Sequence, residues 1–592
     1  MVLEQEIPKF FDWFLQSLII AFPVTVALVA LVGWLVGFIV SATRRGPVEG
    51  FYSVAKVIAS AVTDLAHFSV RRTLAMTMLA VREAIRRKVL IAFAVFVVIM
   101  LLAGWYLDVK SDQPARLYLS FVLTASNYLV LLLALFLSTF SLPNDIKTRT
   151  IHTIVTKPVR PLEIVLGRVF GFALVGTALL AGMCVISYFF VKRGLNHDHA
   201  VQKTADAASP LKGETTVASH HHHTYELGAD GTGLTDVVSG HQHPVTKTDS
   251  GVKIGPPAGM LQARVPKRGT LQFVDRAGKP GKGINVGNEW LYRSYIEGGT
   301  LAAAVWTFDG ITAGRYPDGI ELERDIRVFR THKGNIERGI RGSIFLVNPD
   351  PAAKVKVSEE IPFVAHEFVV DKQFIPRKLK AVEDGVVRDV DLFEDLAPEG
   401  KLQVRVQCSD TGQYFGMAPA DLYILEAEAP FWWNFVKGYI GIWLQMLLVT
   451  TFGVMFSTFL NGAVAMMATL SSIVIGFFGN FILGVATGTI EGGGPVESLI
   501  RILTQANLQS DLELPGWGIR IIKVLDLVLM QLMQVSANIL PNYESFNTAA
   551  WVAYGYNIEP GLMGMNLLRG LAYLVVVSMV GYFFLKTREV AA

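Results

Sequence analysis

Residues 438–490 read GYIGIWLQMLLVTTFGVMFSTFLNGAVAMMATLSSIVIGFFGNFILGVATGTI, 53 residues without one Lys, Arg, Asp or Glu. A hydrocarbon core about 30 Å thick takes about 20 apolar helical residues per crossing, so the run holds two helices. Asn461-Gly462 near its middle is a turn signal that folds one back on the other. Further apolar runs predict spans at 14–40, 89–107, 116 or 117–142, 169–191 and 565–585. The first, with no charge in its 27 residues, is too long for the core of a signal peptide.

The whole composition agrees with that reading. Of 592 residues 52% are hydrophobic and 17% charged, with mean hydropathy +0.41, against about 25% charged in a typical soluble chain. An ordinary cytosolic enzyme and a disordered chain are both excluded. A net charge of +3 gives no reason to expect a nucleic-acid partner. The two cysteines, Cys184 in an apolar run and Cys408 in a polar one, make no disulfide framework.

Orientation follows from Lys and Arg in short loops, which favour the cytoplasmic side. Residues 41–88 carry nine basic and three acidic side chains, and 143–168 five and two; both are expected inside. The segment after the 169–191 span then falls outside. This parity requires that 521–535 not cross. Its polar residues Arg520, Lys523, Asp526, Gln531 and Gln534 fall within an arc of about 140° on a helical wheel, as in a helix lying at an interface.

The expected fold is therefore an α-helical polytopic membrane protein of about seven spans, six core and one N-terminal, with an inserted external mainly-β domain. The divisions are 1–41, an additional N-terminal span; 42–88, cytoplasmic with an elbow helix; and 89–192, core spans one to three with a coupling loop at 143–168. An external insert at 193–430 follows, then core spans four and five at 431–490, re-entrant amphipathic helices at 491–564, and the last span and tail at 565–592.

Within the insert, 260–428 reads as a β-sandwich. Leu402, Val404 and Val406 alternate with Lys401, Gln403, Arg405 and Gln407, the period-two pattern of a half-buried strand. Strands are also expected near 325–330, 343–347 and 353–357. The first part, 196–259, is rich in Gly, Thr, Ser, Asp and His, and a mobile loop is expected. It holds His197, His199, His220, His221, His222, His223, His241 and His243. Imidazole suits zinc, copper or nickel, so a divalent metal is one reading; a solvated, weakly chelating linker is the other, because the spacing matches no closed tetrahedral site.

Nucleotide and hydrolase motifs are missing. No GxxxxGK[ST] run occurs, so the chain is expected not to hold ATP itself and not to be an enzyme. The glycines of 278–287 lack a strand-to-helix context and read as a turn. His366-Glu367 is not followed by a second zincin histidine, and no GxSxG elbow exists.

The connector 143–168, PNDIKTRTIHTIVTKPVRPLEIVLGR, is far longer than a tight turn. Ile151, Ile154 and Val155 form an apolar set on a short helix that Pro158 would stop. Thr150, then Thr156-Lys157-Pro158-Val159-Arg160, then Glu163-Ile164-Val165-Leu166-Gly167-Arg168 resemble the connector of ABC-2-type permeases, the membrane subunits of a class of ABC exporters. Arg149 stands where that family usually has Gly, and Arg160-Pro161 replaces its Ser-Arg. The resemblance covers about 70–192 and 431–592, and omits the first span and the insert.

It implies that two permease subunits, in a homo- or heterodimer, form a pathway through membrane lipid. A cytosolic ABC ATPase that binds ATP and Mg would drive them. Residues 145–168 would be the coupling element, with Ile151, Ile154 and Val155 as buried anchors and Lys147, Arg149, Lys157 and Arg160 as steering charges. Asp145, Thr150, Pro158, Glu163 and Arg168 complete that set. The cargo would be amphipathic or lipid-like and the location the inner, cytoplasmic membrane. Two other functions fit the sequence: a membrane-anchored sensor whose external β-domain binds an envelope component, and a metal-handling protein using the histidines.

Overall fold

The computed structural model describes residues 8–86, 89–107, 113–150, 158–204, 212–248, 251–284, 293–331, 339–350, 352–365, 370–383, 386–490, 492–507 and 514–588. Its helices are α1 Phe10–Arg45, α2 Pro47–Ala66, α3 Val70–Arg86, α4 Leu90–Tyr106, α5 Pro114–Lys147, α6 Pro161–Leu195 and α7 Phe431–Phe459. After these come α8 Gly462–Phe477, α9 Gly479–Thr487, α10 Pro495–Thr504, α11 Gly516–Ile539, α12 Tyr543–Phe546, α13 Ala549–Ala553 and α14 Pro560–Thr587. Five of them, α1, α5, α6, α7 and α14, are long and apolar enough to cross a membrane. Counting the bent pairs α3 with α4 (54°) and α8 with α9 (69°) as one crossing each makes seven. The chain is membrane-associated by this measure.

The helix α7 is the hub of the bundle. Its most apolar window is 83% buried, whereas that of α1 is 0% buried, so α1 presents its side chains to lipid and α7 to protein. At the expected turn, Asn461 caps α8 by accepting the Val464 N–H at 3.0 Å. Polar side chains on α7 fasten its neighbours: the Tyr439 hydroxyl donates to Ser187 on α6 (2.8 Å) and pairs with Ser126 on α5 (2.9 Å). In apolar surroundings such bonds specify which helix faces which. Backbones of α3 and α6 meet at Gly167 and Gly171, where a Cβ would collide with Met76 and Ala80.

The helix α11 covers the expected 521–535 segment, and its Asp526 caps α10, accepting N–H groups of Val496 (2.7 Å) and Glu497 (3.1 Å). At the start of α7, Trp432 and Trp433 are exposed, but Phe435 is buried against Tyr188 and Tyr439.

Two β units follow α6. The first is an antiparallel meander of β1 Val201–Thr204, β2 Lys212–Thr215, β3 Thr224–Leu227, β4 Thr232–Thr235, β5 Pro244–Thr248 and β6 Gly251–Ile254, in that order. The mobile loop expected over 196–259 is thus corrected. Short strands pair consecutively, and hydrogen bonds between neighbours replace the apolar periodicity on which the expectation of disorder rested.

The second unit has β7 Arg264–Arg268, β8 Thr270–Val274, β9 Pro280–Gly281, β10 Ser294–Glu297, β11 Ala303–Asp309, β12 Gly319–Arg324 and β13 Arg327–Arg330. It continues with β14 Ile340–Val347, β15 Ile361–Ala365, β16 Asp371–Pro376, β17 Lys378–Glu383, β18 Val386–Asp391, β19 Lys401–Cys408, β20 Gln413–Met417 and β21 Leu422–Glu428. Sheets ordered β15-β14-β19-β11-β8-β9, β16-β12-β21-β7 and β10-β20-β13 enclose one apolar core around Trp306, Phe308, Leu322, Ile344, Val404 and Phe415. The alternation read from 401–407 is the burial pattern of β19. The strand expected at 353–357 is absent except for a bridge between Val347 and Val357, because Asn348 and Asp350 bend the chain with side-chain bonds to the N–H groups of Asp350 and Ala352. Of the turn expected at 278–287, Gly278 and Lys279 help close the β8–β9 hairpin, whereas Pro280–Gly281 is β9 itself and 285–287 lie outside the described residues. His366-Glu367 lies outside the described residues.

Backbone bonds join this unit to the helices. Arg264 of β7 donates its N–H to the Gly555 carbonyl and accepts from the Asn557 N–H, both at 2.8 Å.

Candidate functional site

Two clusters of polar side chains carry the functional interest. The first gathers at the basic end of the bundle, on both sides of the connector. Arg168, buried on α6, reaches Glu83 of α3 at 3.2 Å together with Ser141 and Asp145 of α5. Glu163, fully buried one turn earlier, takes a two-pronged contact from Arg72 (2.7 and 2.8 Å). It also accepts the N–H groups of Ser69 (2.9 Å) and Arg160 (3.0 Å), the latter closing a capping box on α6. Arg160 pairs with Asp64 of α2, which also accepts from Lys586 (2.5 Å) and Tyr582 (2.8 Å) of α14. Burial alone would raise the Asp64 carboxyl, but Lys586, Tyr582 and Arg160 hold it below the ordinary range.

Of the sequence-predicted coupling residues, Asp145, Arg160, Glu163 and Arg168 are therefore tied into the fold. Thr150 bonds back to Asp145 at 3.2 Å, and Lys147, Arg149 and Pro158 are exposed. Ile151, Ile154, Val155 and Lys157 lie outside the described residues.

The second cluster lies where α6 ends. His197 and His199 follow α6 directly, His221 and His223 precede β3, and His241 and His243 precede β5. In each His-x-His stretch the chain is extended, so both imidazoles fall on one face and the residue between them on the other. Two tight turns set the register. Ser219-His220 and Ser239-Gly240 all have positive φ, and their flanks bridge Ala218 to His221 and Val238 to His241, the two-residue hairpin that aligns with strand twist. Below them Thr215 accepts the His223 N–H and Thr235 the His243 N–H, each at 2.9 Å.

His220 and His222, predicted as possible ligands, are excluded by this geometry. His220 occupies a turn tip, equivalent to Gly240, and His222 alternates outward, equivalent to Gln242; both are exposed.

Of the six remaining rings, those of His197, His199, His221, His223 and His241 meet through Nε2, and the His243 ring lies with its centroid 4.8–5.2 Å from those of His197, His199, His223 and His241. Nitrogen separations are 3.1 Å for His197–His241, 3.2 Å for His221–His241, and 3.3 Å for both His199–His221 and His223–His241. The Nδ1 atoms face outward to carbonyls of Leu195 (from His197, 3.0 Å), Thr216 (His199, 2.7 Å), Ser219 (His221, 3.1 Å), Asp236 (His223, 3.0 Å) and Gly255 (His243, 2.7 Å). Each of these five Nδ1 atoms then carries the proton and leaves Nε2 as a free lone pair, the tautomer of metal-bound histidine; Nδ1 of His241 is buried with no hydrogen-bond partner among the described residues. Burial drives His197 and His223 down to about 4 and His241 to about 3, and lowers His221 and His243. At neutral pH these rings are uncharged and able to ligate. His197, His199, His221, His223 and His241 offer atoms all within 4.8 Å of one another and could hold a metal ion.

The missed signal was a repeat. Thr215-Thr216-Val217-Ala218-Ser219-His220-His221-His222-His223 matches Thr235-Asp236-Val237-Val238-Ser239-Gly240-His241-Gln242-His243 in order and spacing. No protein-family model matches the chain, and no curated protein matches it.

Proposed function

We propose that the chain is the membrane-spanning subunit of an ATP-driven exporter, paired with a second permease subunit and moved by a separate cytosolic ATPase. The reading places it in the inner, cytoplasmic membrane with seven crossings and the β units outside. Support comes from one observation above the rest: both ends of the 148–159 connector are bolted to other helices through part-buried ion pairs, with Arg168 and Glu163 themselves buried. Arg168 joins α6 to α3 and α5, Glu163 joins it to α3, and Asp64 joins Arg160 to α14. A push on the connector is thereby delivered to four helices at once, whereas a mere anchor has no use for such bracing.

An amphipathic or lipid-like cargo matches apolar helix walls that offer no chain of ionisable groups. The test is co-purification of a nucleotide-hydrolysing partner with the whole protein. Ile154→Asp should abolish capture while membrane insertion is retained. Unchanged capture, or labelling of a cysteine placed at Thr156 only from the exterior, overturns the coupling role.

A further inference from the structure

We infer that His197, His199, His221, His223, His241 and His243 form a six-coordinate centre for one divalent first-row transition ion, and that this ion is the structural staple of the 196–258 meander. The ring arrangement carries the first half. His197 stands beside His199, His221, His241 and His243 and opposite His223; likewise His199 is opposite His241, and His221 opposite His243. Adjacent ring centroids are 4.8–5.2 Å apart. Three mutually opposed pairs are the vertices of an octahedron.

The nitrogen separations give its size. Edges of 3.1–3.3 Å place the centre of an octahedron about 2.2–2.3 Å from each vertex, within about 0.2 Å of ordinary metal–imidazole lengths. The 4.8 Å upper limit among five of these atoms is near the diagonal of that figure, and exceeds any distance within a tetrahedron of the same bond length. Nε2 of His243, on a fully buried side chain, has no hydrogen-bond partner among the described residues. A lone pair buried without a donor is costly, and a cation at the centre satisfies it.

The donor set fixes the class of ion. Six neutral, borderline-soft nitrogens exclude the oxygen-seeking Mg²⁺ and Ca²⁺, and octahedral geometry favours ferrous, cobaltous or nickel ions over four-coordinate zinc. All six positions are taken by protein, leaving no open one for water or substrate, so the ion acts as a cross-link. The meander needs one. Among the described residues its buried apolar core is Tyr225, Leu227 and Val245, with Val201, Val252 and Ile254 half-buried against it, too little to hold six strands, and the ion ties the 221–223 and 241–243 stretches to the 197–199 stretch that follows α6.

This inference is independent of the exporter reading. The experiment is cobalt(II) titration of the metal-stripped, full-length protein in detergent, followed by visible absorption and by proteolysis within 196–258. The expected result is one ion per chain, the weak d–d absorption of six-coordinate cobalt, and protection of 196–258 on binding. His243→Ala should weaken binding by about tenfold or more, and His222→Ala should leave it unchanged. Failure to bind cobalt overturns the centre. So does an intense four-coordinate spectrum unaffected by His243→Ala, and binding without protection overturns the staple. Resistance of the 260–428 unit in the same digest reports that each variant is folded.

Discussion

The two β units between α6 and α7 reach order by opposite means. The 260–428 unit buries Trp306, Phe308, Phe415 and a full set of aliphatic side chains; the 196–258 meander buries three apolar residues and turns six imidazoles inward. Apolar area buried in the first provides a stabilisation that scales with size. The second is too small for that, and its order is proposed to depend on one ion. Cohesion in the β units of a membrane-associated chain thus need not be uniform, and a segment poor in apolar residues is not thereby disordered.

Experiments can separate the two. Trp306→Ala should cost the larger unit about 3–5 kcal/mol, read as lost protease resistance over 260–428 with no change in metal content. Chelation should have the converse result. Removing an ion present at about 100 times its Kd withdraws about 2.7 kcal/mol, and cleavage should appear within 196–258 alone; cleavage in both units would break the comparison.

Acid should act on them with opposite signs. Burial pushes Asp421 up to about 6 despite its two bonds from Arg293 (2.9 and 3.0 Å). Between the unfolded value of about 3.9 and that folded value the native unit holds the extra proton. Its stability from this group therefore falls as pH rises from about 4 to 6. In the metal-stripped meander His197, His221, His223, His241 and His243 are lowered by burial, so the unfolded chain binds the extra protons. Stability there is present above the unfolded value of about 6.5 and is lost as pH falls towards about 4. Proteolysis of the stripped protein at stepped pH checks both slopes.

The smallest effect is at a turn tip. His220 holds φ at +67°, where glycine is unstrained, so His220→Gly should raise meander stability by at most about 1 kcal/mol with cobalt affinity unchanged. Loss of affinity would return His220 to the ligand set.

What the sequence disclosed depended on how far the cause lay from the residue. The charge-free run at 438–490 and the alternation at 401–407 are local signals, and α7, α8, α9 and β19 stand where they point. Composition named eight histidines and a divalent metal as one reading, but not which of them converge, since they meet through strand register across 197–243, and Asp64 gave no hint of joining Arg160 to Lys586. Such long-range pairings leave no periodic trace. The apolar set at Ile151, Ile154 and Val155 remains a sequence reading.

The bonds on either side of Arg264 splice β7 onto the strand-like stretch just ahead of α14, without an intervening swivel. A shift of the 555–557 stretch ahead of α14 should then carry β7 and the sheet it belongs to with it, like an oar in its rowlock. A probe fixed on that sheet would register such a stroke.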